Sequence, residues 1–176
     1  MKKKTGICLL LSYLLFIGSL IAQDDPEFPK GSIIYFRLHN GMITTFHSPP
    51  DQYVAGVQLV PQITIIPSKL RAGVIAGGFY ANKKLQAALG PTLSWKLKSF
   101  NAGVFGTAGN LHLSLDHLWG TDKQRLAGGG LNLDLLNKLT LSITTHRDYN
   151  LNTWWIQTAM GIRISRKKST PEPFNQ

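Results

Sequence analysis

The stretch Asn110-Leu-His-Leu-Ser-Leu-Asp-His-Leu-Trp119 decides the fold of this chain of 176 residues. Successive side chains of a β-strand point to opposite faces, so alternating residue types give a strand one apolar and one polar face. The apolar face holds Leu111, Leu113, Leu115 and Trp119, and the polar face holds Asn110, His112, Ser114 and Asp116. The stretch therefore predicts a sheet whose apolar side meets either a protein core or a lipid bilayer.

The same alternation recurs along the chain, with short turn segments between the strands. Besides a first strand that starts at Ser32, we predict strands at Tyr53 to Ile66, Leu70 to Ala81, Leu85 to Ser99, Asn110 to Trp119, Arg125 to Leu136, Leu139 to His146 and Thr153 to Arg166. Most reach the 9 to 11 residues or so that a tilted membrane strand requires. Short turns between about eight strands indicate an all-β, closed antiparallel up-and-down transmembrane β-barrel.

The extent of the first strand is open at Asn40-Gly41. This dipeptide is the strongest short hairpin signal, and a hairpin here would raise the count to nine or ten strands. The apolar residues Ile34, Phe36 and Met42 nevertheless all occupy even-numbered positions, before and after the dipeptide. They therefore have the same parity, that is, they share one face of a strand, which equally suits one long strand with a kink.

The N-terminus has the order of a secretory signal peptide: Met1-Lys-Lys-Lys4, an apolar run from Ile7 to Ala22, then the polar Gln23. The lone cysteine, Cys8, lies within this signal. We divide the chain into a signal peptide (residues 1–22), a linker (23–30), a β-barrel (31–166) and a disordered tail (167–176).

Composition separates this chain from typical soluble domains. Only 16% of its residues are charged, against about 25% in soluble domains, and no glutamate lies between Glu27 and Glu172. Without the three signal-peptide lysines the net charge falls from +10 to about +7. An exported basic protein favours anionic lipid head groups as partners, with lipopolysaccharide as one candidate, over nucleic acid.

The positions of the aromatic residues favour lipid over a soluble core. If the N-terminus lies in the periplasm, every second turn lies on the outer side, and the aromatic residues cluster beside those turns. This predicted girdle consists of Tyr53, Tyr80, Trp119, Tyr149, Trp154 and Trp155. Tyrosine and tryptophan prefer the membrane interface, so the collar predicts that a lipid bilayer surrounds the apolar face.

From Gly31 to Arg166 the chain resembles the small eight-stranded outer-membrane β-barrels of Gram-negative envelopes. The resemblance rests on the signal, the strand count and the ending Gly161-Ile-Arg-Ile-Ser165, which is similar to a final-strand assembly signal. It implies an integral membrane protein.

The polar faces of the strands should meet inside the barrel, because an eight-stranded barrel is just wide enough to be filled by side chains. The predicted polar network of the lumen consists of Lys96, His112, Asp116, Asp134, His146 and Arg163, and Lys98, Gln58, Gln62 and Asn132 share these inward faces. We interpret the network as hydrogen-bonded and ion-paired groups that keep polar atoms out of hydrocarbon.

A hydrolytic set is the alternative interpretation of His112, Ser114 and Asp116. His-Leu-Ser resembles the His-x-Ser of outer-membrane lipid A deacylases, which implies an acyl hydrolase that uses His112 and Ser114. Neighbours in this set lie roughly 7 Å apart along a strand, too far for a direct hydrogen bond unless the side chains lean together.

We therefore predict an outer-membrane barrel with a structural or interaction role in the cell envelope, without a cofactor or metal, and whether it is also an enzyme stays open. The alternatives are the lipid A acyl hydrolase and a soluble periplasmic lipocalin-like barrel that binds an apolar ligand. In the soluble barrel the apolar face would point inward.

Overall fold

The computed structural model describes residues 31–47, 52–67, 69–101, 107–136 and 138–165. The elements of this part of the chain are eight β-strands: β1 (Ser32–Thr44), β2 (Gln52–Ile66), β3 (Leu70–Ala81), β4 (Lys84–Asn101), β5 (Thr107–Gly120), β6 (Arg125–Leu135), β7 (Leu139–Asp148) and β8 (Thr153–Ser165). The described residues contain no helix that is long and apolar enough to cross a membrane.

The strands form a closed barrel in sequence order, and each strand pairs antiparallel with its neighbours. β1 closes the barrel by pairing with both β2 and β8, so that Phe36 lies opposite Leu59 on one side and Ile162 on the other. The prediction of an all-β, eight-stranded, up-and-down barrel is confirmed. Closure leaves no free strand edge, because the first and last strands pair with each other.

Asn40-Gly41 lies inside β1 and is not a turn. Asn40 pairs with Ala55 on β2 and with Thr158 on β8, and neither residue of the dipeptide has the positive φ that a tight hairpin turn requires. Glycine is needed at position 41 because a Cβ there would overlap the carbonyl oxygen of Ile156. The single-strand interpretation is therefore correct.

The two ends of the barrel differ. One end, here called the turn end, carries the β1–β2, β3–β4, β5–β6 and β7–β8 connections, and the other carries the start of β1 and the end of β8. The predicted signal peptide (residues 1–22), linker (23–30) and tail (167–176) lie outside the described residues.

The strands point their apolar faces outward. Leu113 is 37% exposed and Ile162 is 52% exposed, whereas Asn132 is fully buried. This orientation is the opposite of a soluble barrel that binds an apolar ligand, where the apolar side chains would line the interior.

Glycine at position 130 allows β6 and β7 to approach closely. A Cβ on Gly130 would overlap the carbonyl oxygen of Ile143, which belongs to the backbone and cannot rotate away. We therefore expect Gly130→Ala to destabilise the barrel by about 1 to 3 kcal/mol, measured by urea unfolding.

The matched control is Gly78→Ala, because the only atom near a Cβ at position 78 is the carbonyl oxygen of Gln86 at 3.8 Å. Gly78→Ala should leave stability unchanged or raise it slightly, since alanine restricts the unfolded chain. Equal losses in the two variants would contradict a steric role for Gly130.

Candidate functional site

The inward faces of β1 and of the five strands β3, β4, β5, β6 and β7 bring buried polar side chains together around two carboxylates. Asp134 on β6 is 2% exposed and Asp116 on β5 is 7% exposed. Buried charges in proteins are almost always paired, because an unpaired charge in an apolar environment is costly. Each aspartate has its own set of partners.

Asp134 accepts hydrogen bonds from two strands that lie on opposite sides of β6 in chain order. The Tyr35 hydroxyl donates to Asp134 Oδ2 at 2.8 Å, and the Thr140 hydroxyl donates to Oδ1 at 2.7 Å. The imidazole Nε2 of His112 lies 3.8 Å from the same Oδ1. These contacts tie β1, β5 and β7 to β6 through one carboxylate.

Two arginines gather around Tyr35 and so extend this cluster. Arg71 on β3 is fully buried and donates from its guanidinium to the Tyr35 hydroxyl at 2.9 Å. The guanidinium of Arg37 lies over the Tyr35 ring, 5.0 Å from the centroid, which is cation–π geometry. Tyr35 thus lies between the two guanidinium groups and the Asp134 carboxylate and contacts all three.

Asp116 forms the second cluster. Thr92 on β4 donates its hydroxyl proton to Asp116 Oδ1 at 2.6 Å, and His146 Nε2 lies 3.2 Å from Oδ2. Ser114 Oγ lies 3.5 Å from Oδ2 and 3.4 Å from the carbonyl oxygen of Gly130. The Asp116 carboxylate, itself on β5, therefore connects β4 and β7 to β5.

The structure places four of the six predicted network residues in these two clusters: His112, Asp116, Asp134 and His146. Lys96 and Arg163 also belong to inward-facing positions and are half-buried. Gln62 and Asn132 lie buried beside them, where Gln62 donates to Ser94 Oγ at 2.9 Å and Asn132 Oδ1 accepts from Ser142 at 2.7 Å.

Lys98 was predicted to face inward, and this was wrong. The β4–β5 register shifts between Lys96 and Lys98, which pair with His112 and Leu111. The irregularity moves Lys98 to the parity of the outward Leu111, and its ammonium lies over the Phe100 ring at 5.7 Å.

Tyr35, Arg37 and Arg71 belong to the interior, although none of them was predicted to lie there. The signal for Tyr35 and Arg37 was present, because both have the parity opposite to the apolar Ile34 and Phe36. Arg71 was hidden because β3 contains several glycines and alanines, so its alternation is weak. Together with Arg163 these residues make the interior richer in arginine than predicted.

The three candidate catalytic residues do not assemble into one hydrolytic set. His112 faces Asp134, whereas Ser114 lies beside Asp116, and Asp116 is paired with His146. His112 is fully buried and Ser114 is 3% exposed inside the barrel, so both are shielded from an acyl chain in a surrounding bilayer. This geometry does not favour the acyl hydrolase.

The predicted aromatic girdle divides into two groups. Tyr53, Tyr80, Trp119 and Tyr149 are at least half exposed on the outer surface at the turn end, and Trp154 is half-buried there. Trp155 was wrongly included, since it is 2% exposed and its ring meets Phe79 edge-on inside the barrel at 5.2 Å. Adjacent residues of a strand face opposite sides, so only one of Trp154 and Trp155 can point outward.

Within the described ranges, no group of three or more histidine, cysteine, aspartate or glutamate side chains is arranged to hold a metal ion. His112 and His146 each face a different aspartate.

Two solved structures are similar to this chain in fold. One, from work titled "De novo design of transmembrane beta-barrels", is 12% identical, has a TM-score of 0.47 and covers 78% of this chain and 99% of its own. The other, the solution NMR structure of the de novo designed TMB2.3, is 15% identical, has a TM-score of 0.49 and covers 82% of this chain and 99% of its own. No protein-family model matches the chain, and no curated protein matches it in sequence.

Proposed function

We propose that the chain is an integral β-barrel of the bacterial outer membrane, with lipid around its apolar exterior and a lumen closed by polar side chains. Its role is then structural or interactive within the cell envelope. The observation that carries the proposal is the exterior, where each strand exposes large apolar side chains. Examples from β1 to β8 are Leu38, Leu59, Val74, Leu89, Leu115, Leu131, Ile143 and Ile162.

Hydrocarbon is the surrounding that this exterior fits. Monomeric soluble proteins rarely expose contiguous apolar surfaces larger than a few hundred Å². In a bilayer the same side chains are favourably placed, and a closed barrel satisfies its backbone hydrogen bonds without water. A soluble lipocalin-like barrel would need the reverse orientation, so that alternative loses its support.

Residues at the turn end suit a membrane interface. The guanidinium of Arg147 lies 5.1 Å from the centroid of the Trp154 ring, and the Tyr149 hydroxyl lies 3.2 Å from His117 Nε2. Aromatic rings paired with basic side chains favour the head-group region, where apolar and charged atoms are both solvated. Anionic lipid head groups are the partners that this combination favours.

A lumen filled by side chains favours a structural role for the barrel over a role as an open channel. Buried side chains of the two carboxylate clusters connect β1 with strands β3, β4, β5, β6 and β7 across the lumen. Nearer the turn end, the lumen is filled by an apolar layer formed by Phe79, Leu118, Leu126 and Trp155. An eight-stranded barrel offers room for side chains and little more.

The test is localisation of the full-length chain expressed in a Gram-negative host. We expect it in the outer-membrane fraction after alkaline extraction, with a mature N-terminus near Gln23. Unheated samples should migrate faster in gels than boiled samples, because the folded barrel resists detergent. A variant that begins at Gln23 is the control and should remain in the cytoplasm. Recovery of the full-length chain as a soluble periplasmic protein would refute the proposal.

A further inference from the structure

A groove of about 360 Å³ lies on the outer face of the barrel, over strands β3, β4 and β5. The side chains that line it from the outside are those of Ala72, Pro91, Leu93, Leu115 and His117. Thr92 and Asp116 lie beneath it, but their side chains are buried in the lumen, where Thr92 donates to Asp116. The surface of this outer groove is therefore mainly apolar, and His117 is the polar side chain at its edge.

His117 lies at the end of the outer groove that is nearer to the turn end. β5 runs toward the turn end, so His117 lies beyond Leu115 in that direction. Leu115 pairs with Leu93, and Leu93 pairs with Ala72, so these three residues form one row across the outer face. An alkyl chain that lies in the groove would therefore have its turn-end side at His117.

A basic cluster lies beside His117 on β6 and β7. Ala127 pairs with His117 on one side and with Arg147 on the other, so only a methyl group stands between these two side chains. Arg125 lies two residues before Ala127 and therefore points to the same outer face. Tyr149 is next to Arg125, because its backbone N–H donates to the Arg125 carbonyl oxygen at 3.1 Å. His117, Arg125, Arg147 and Tyr149 are here called the outer basic cluster.

The positive charges of the outer basic cluster are not neutralised by nearby carboxylates. Within the ranges that the structure describes, neither Arg125 nor Arg147 forms an ion pair with an aspartate or glutamate. The guanidinium of Arg147 instead donates to the neutral amide oxygen of Asn152. Asp148 is fully buried, and its Oδ1 accepts from backbone N–H groups, including that of Arg125 at 3.3 Å. The cluster is therefore complementary to an anion on the outer face.

We propose that the outer groove and the outer basic cluster together bind one membrane lipid with a negatively charged phosphate head group. The phosphate lies between Arg125 and Arg147, and one acyl chain follows the groove past His117 to Leu115. Guanidinium groups offer paired N–H donors that match phosphate oxygens. In a bilayer the groove adds van der Waals contact only, so the two arginines supply the selectivity. The inference rests on the proposed membrane location and adds a lipid class and a place on the barrel.

The experiment titrates the full-length barrel, folded in a zwitterionic detergent without phosphate, with dioctanoyl phosphatidylglycerol. Dioctanoyl phosphatidylcholine has the same chains and a phosphate but no net charge, and inorganic phosphate has no chains. Binding is followed by the imidazole resonances of His117. We expect phosphatidylglycerol to bind roughly tenfold more tightly than phosphatidylcholine and to shift these resonances, because only the anionic lipid leaves its phosphate charge to the arginines.

Three variants and one control divide the site into its parts. Arg125→Gln and Arg147→Gln should each remove most of the roughly tenfold preference for phosphatidylglycerol. Lys84→Gln is the matched control, because Lys84 is exposed at the same end of the barrel on β4, and it should leave the preference unchanged. Ala72→Leu fills the groove without changing the charge, and it should weaken binding of both lipids roughly threefold, since each lost atom contact contributes little.

Three results would overturn the inference. The first is equal affinity for the two lipids, and the second is a preference that survives both arginine variants. The third is inorganic phosphate that binds as tightly as phosphatidylglycerol while Ala72→Leu has no effect, which would indicate a site for a free anion. Heat-dependent gel migration identifies any variant that does not fold. A barrel recovered from the outer membrane without lipid preference would refute this inference alone, whereas a soluble periplasmic barrel would refute the proposed function.

Discussion

Asp134→Asn is expected to destabilise the barrel by about 3 to 5 kcal/mol. The substitution keeps the size of the side chain but removes the negative charge of the carboxylate. That carboxylate accepts hydrogen bonds from Tyr35 and Thr140 and faces His112. Arg71 and Arg37, which both contact Tyr35, would remain inside the barrel without that carboxylate. Breaking a buried charge cluster is costly because the remaining charges stay desolvated.

The measurement is urea unfolding of the refolded barrel in lipid vesicles. Asp122→Asn is the matched control, since Asp122 is an exposed residue in the β5–β6 turn, and its effect should stay within about 0.5 kcal/mol. If the two asparagine variants unfold at the same urea concentration, the Asp134 cluster does not stabilise the barrel.

Leu115→Arg is expected to cost about 2 to 4 kcal/mol in vesicles, because it places a cation in hydrocarbon near the middle of β5. Leu115 is 57% exposed on the outer face and pairs with Leu93 and Gly129. If water surrounded this face, arginine in place of an exposed leucine would change stability by no more than about 0.5 kcal/mol. The size of the stability loss therefore shows whether lipid or water surrounds the outer face of β5.

Leu151→Arg provides the depth control for this experiment. Leu151 is 47% exposed in the turn between β7 and β8, at the end of the barrel, where arginine should cost about 0 to 1 kcal/mol. Equal effects at positions 115 and 151 would argue against a bilayer around the barrel.

Strand parity is the property of this protein that could be predicted from the sequence. The apolar side chains of β5 that were predicted to share a face do so, and Leu113, Leu115 and Trp119 are all exposed. Alternation is local, because it depends only on successive residues pointing to opposite faces. It predicted the eight strands and the face on which His112, Asp116 and Asp134 lie.

Parity alone also shows why Trp155 could not join Trp154 in the girdle. The girdle was predicted from the distance of each aromatic residue to a turn, which is a coarser criterion than the side of the strand to which the residue points. Parity fails only where a ladder is irregular, as at Lys96 to Lys98, because a register shift changes the face of every residue beyond it.

The tertiary structure alone decided which polar side chains meet. Asp116 and His146 are 30 residues apart, and Tyr35 and Asp134 are 99 residues apart, yet each pair is in contact. Such contacts depend on the register of each strand pair and on closure of β1 against β8, and neither is encoded in the alternation of one strand. The sequence by itself determined the two faces of each strand, and the closed barrel determined the partners of each inward-facing group, because only closure brings distant strands around one lumen.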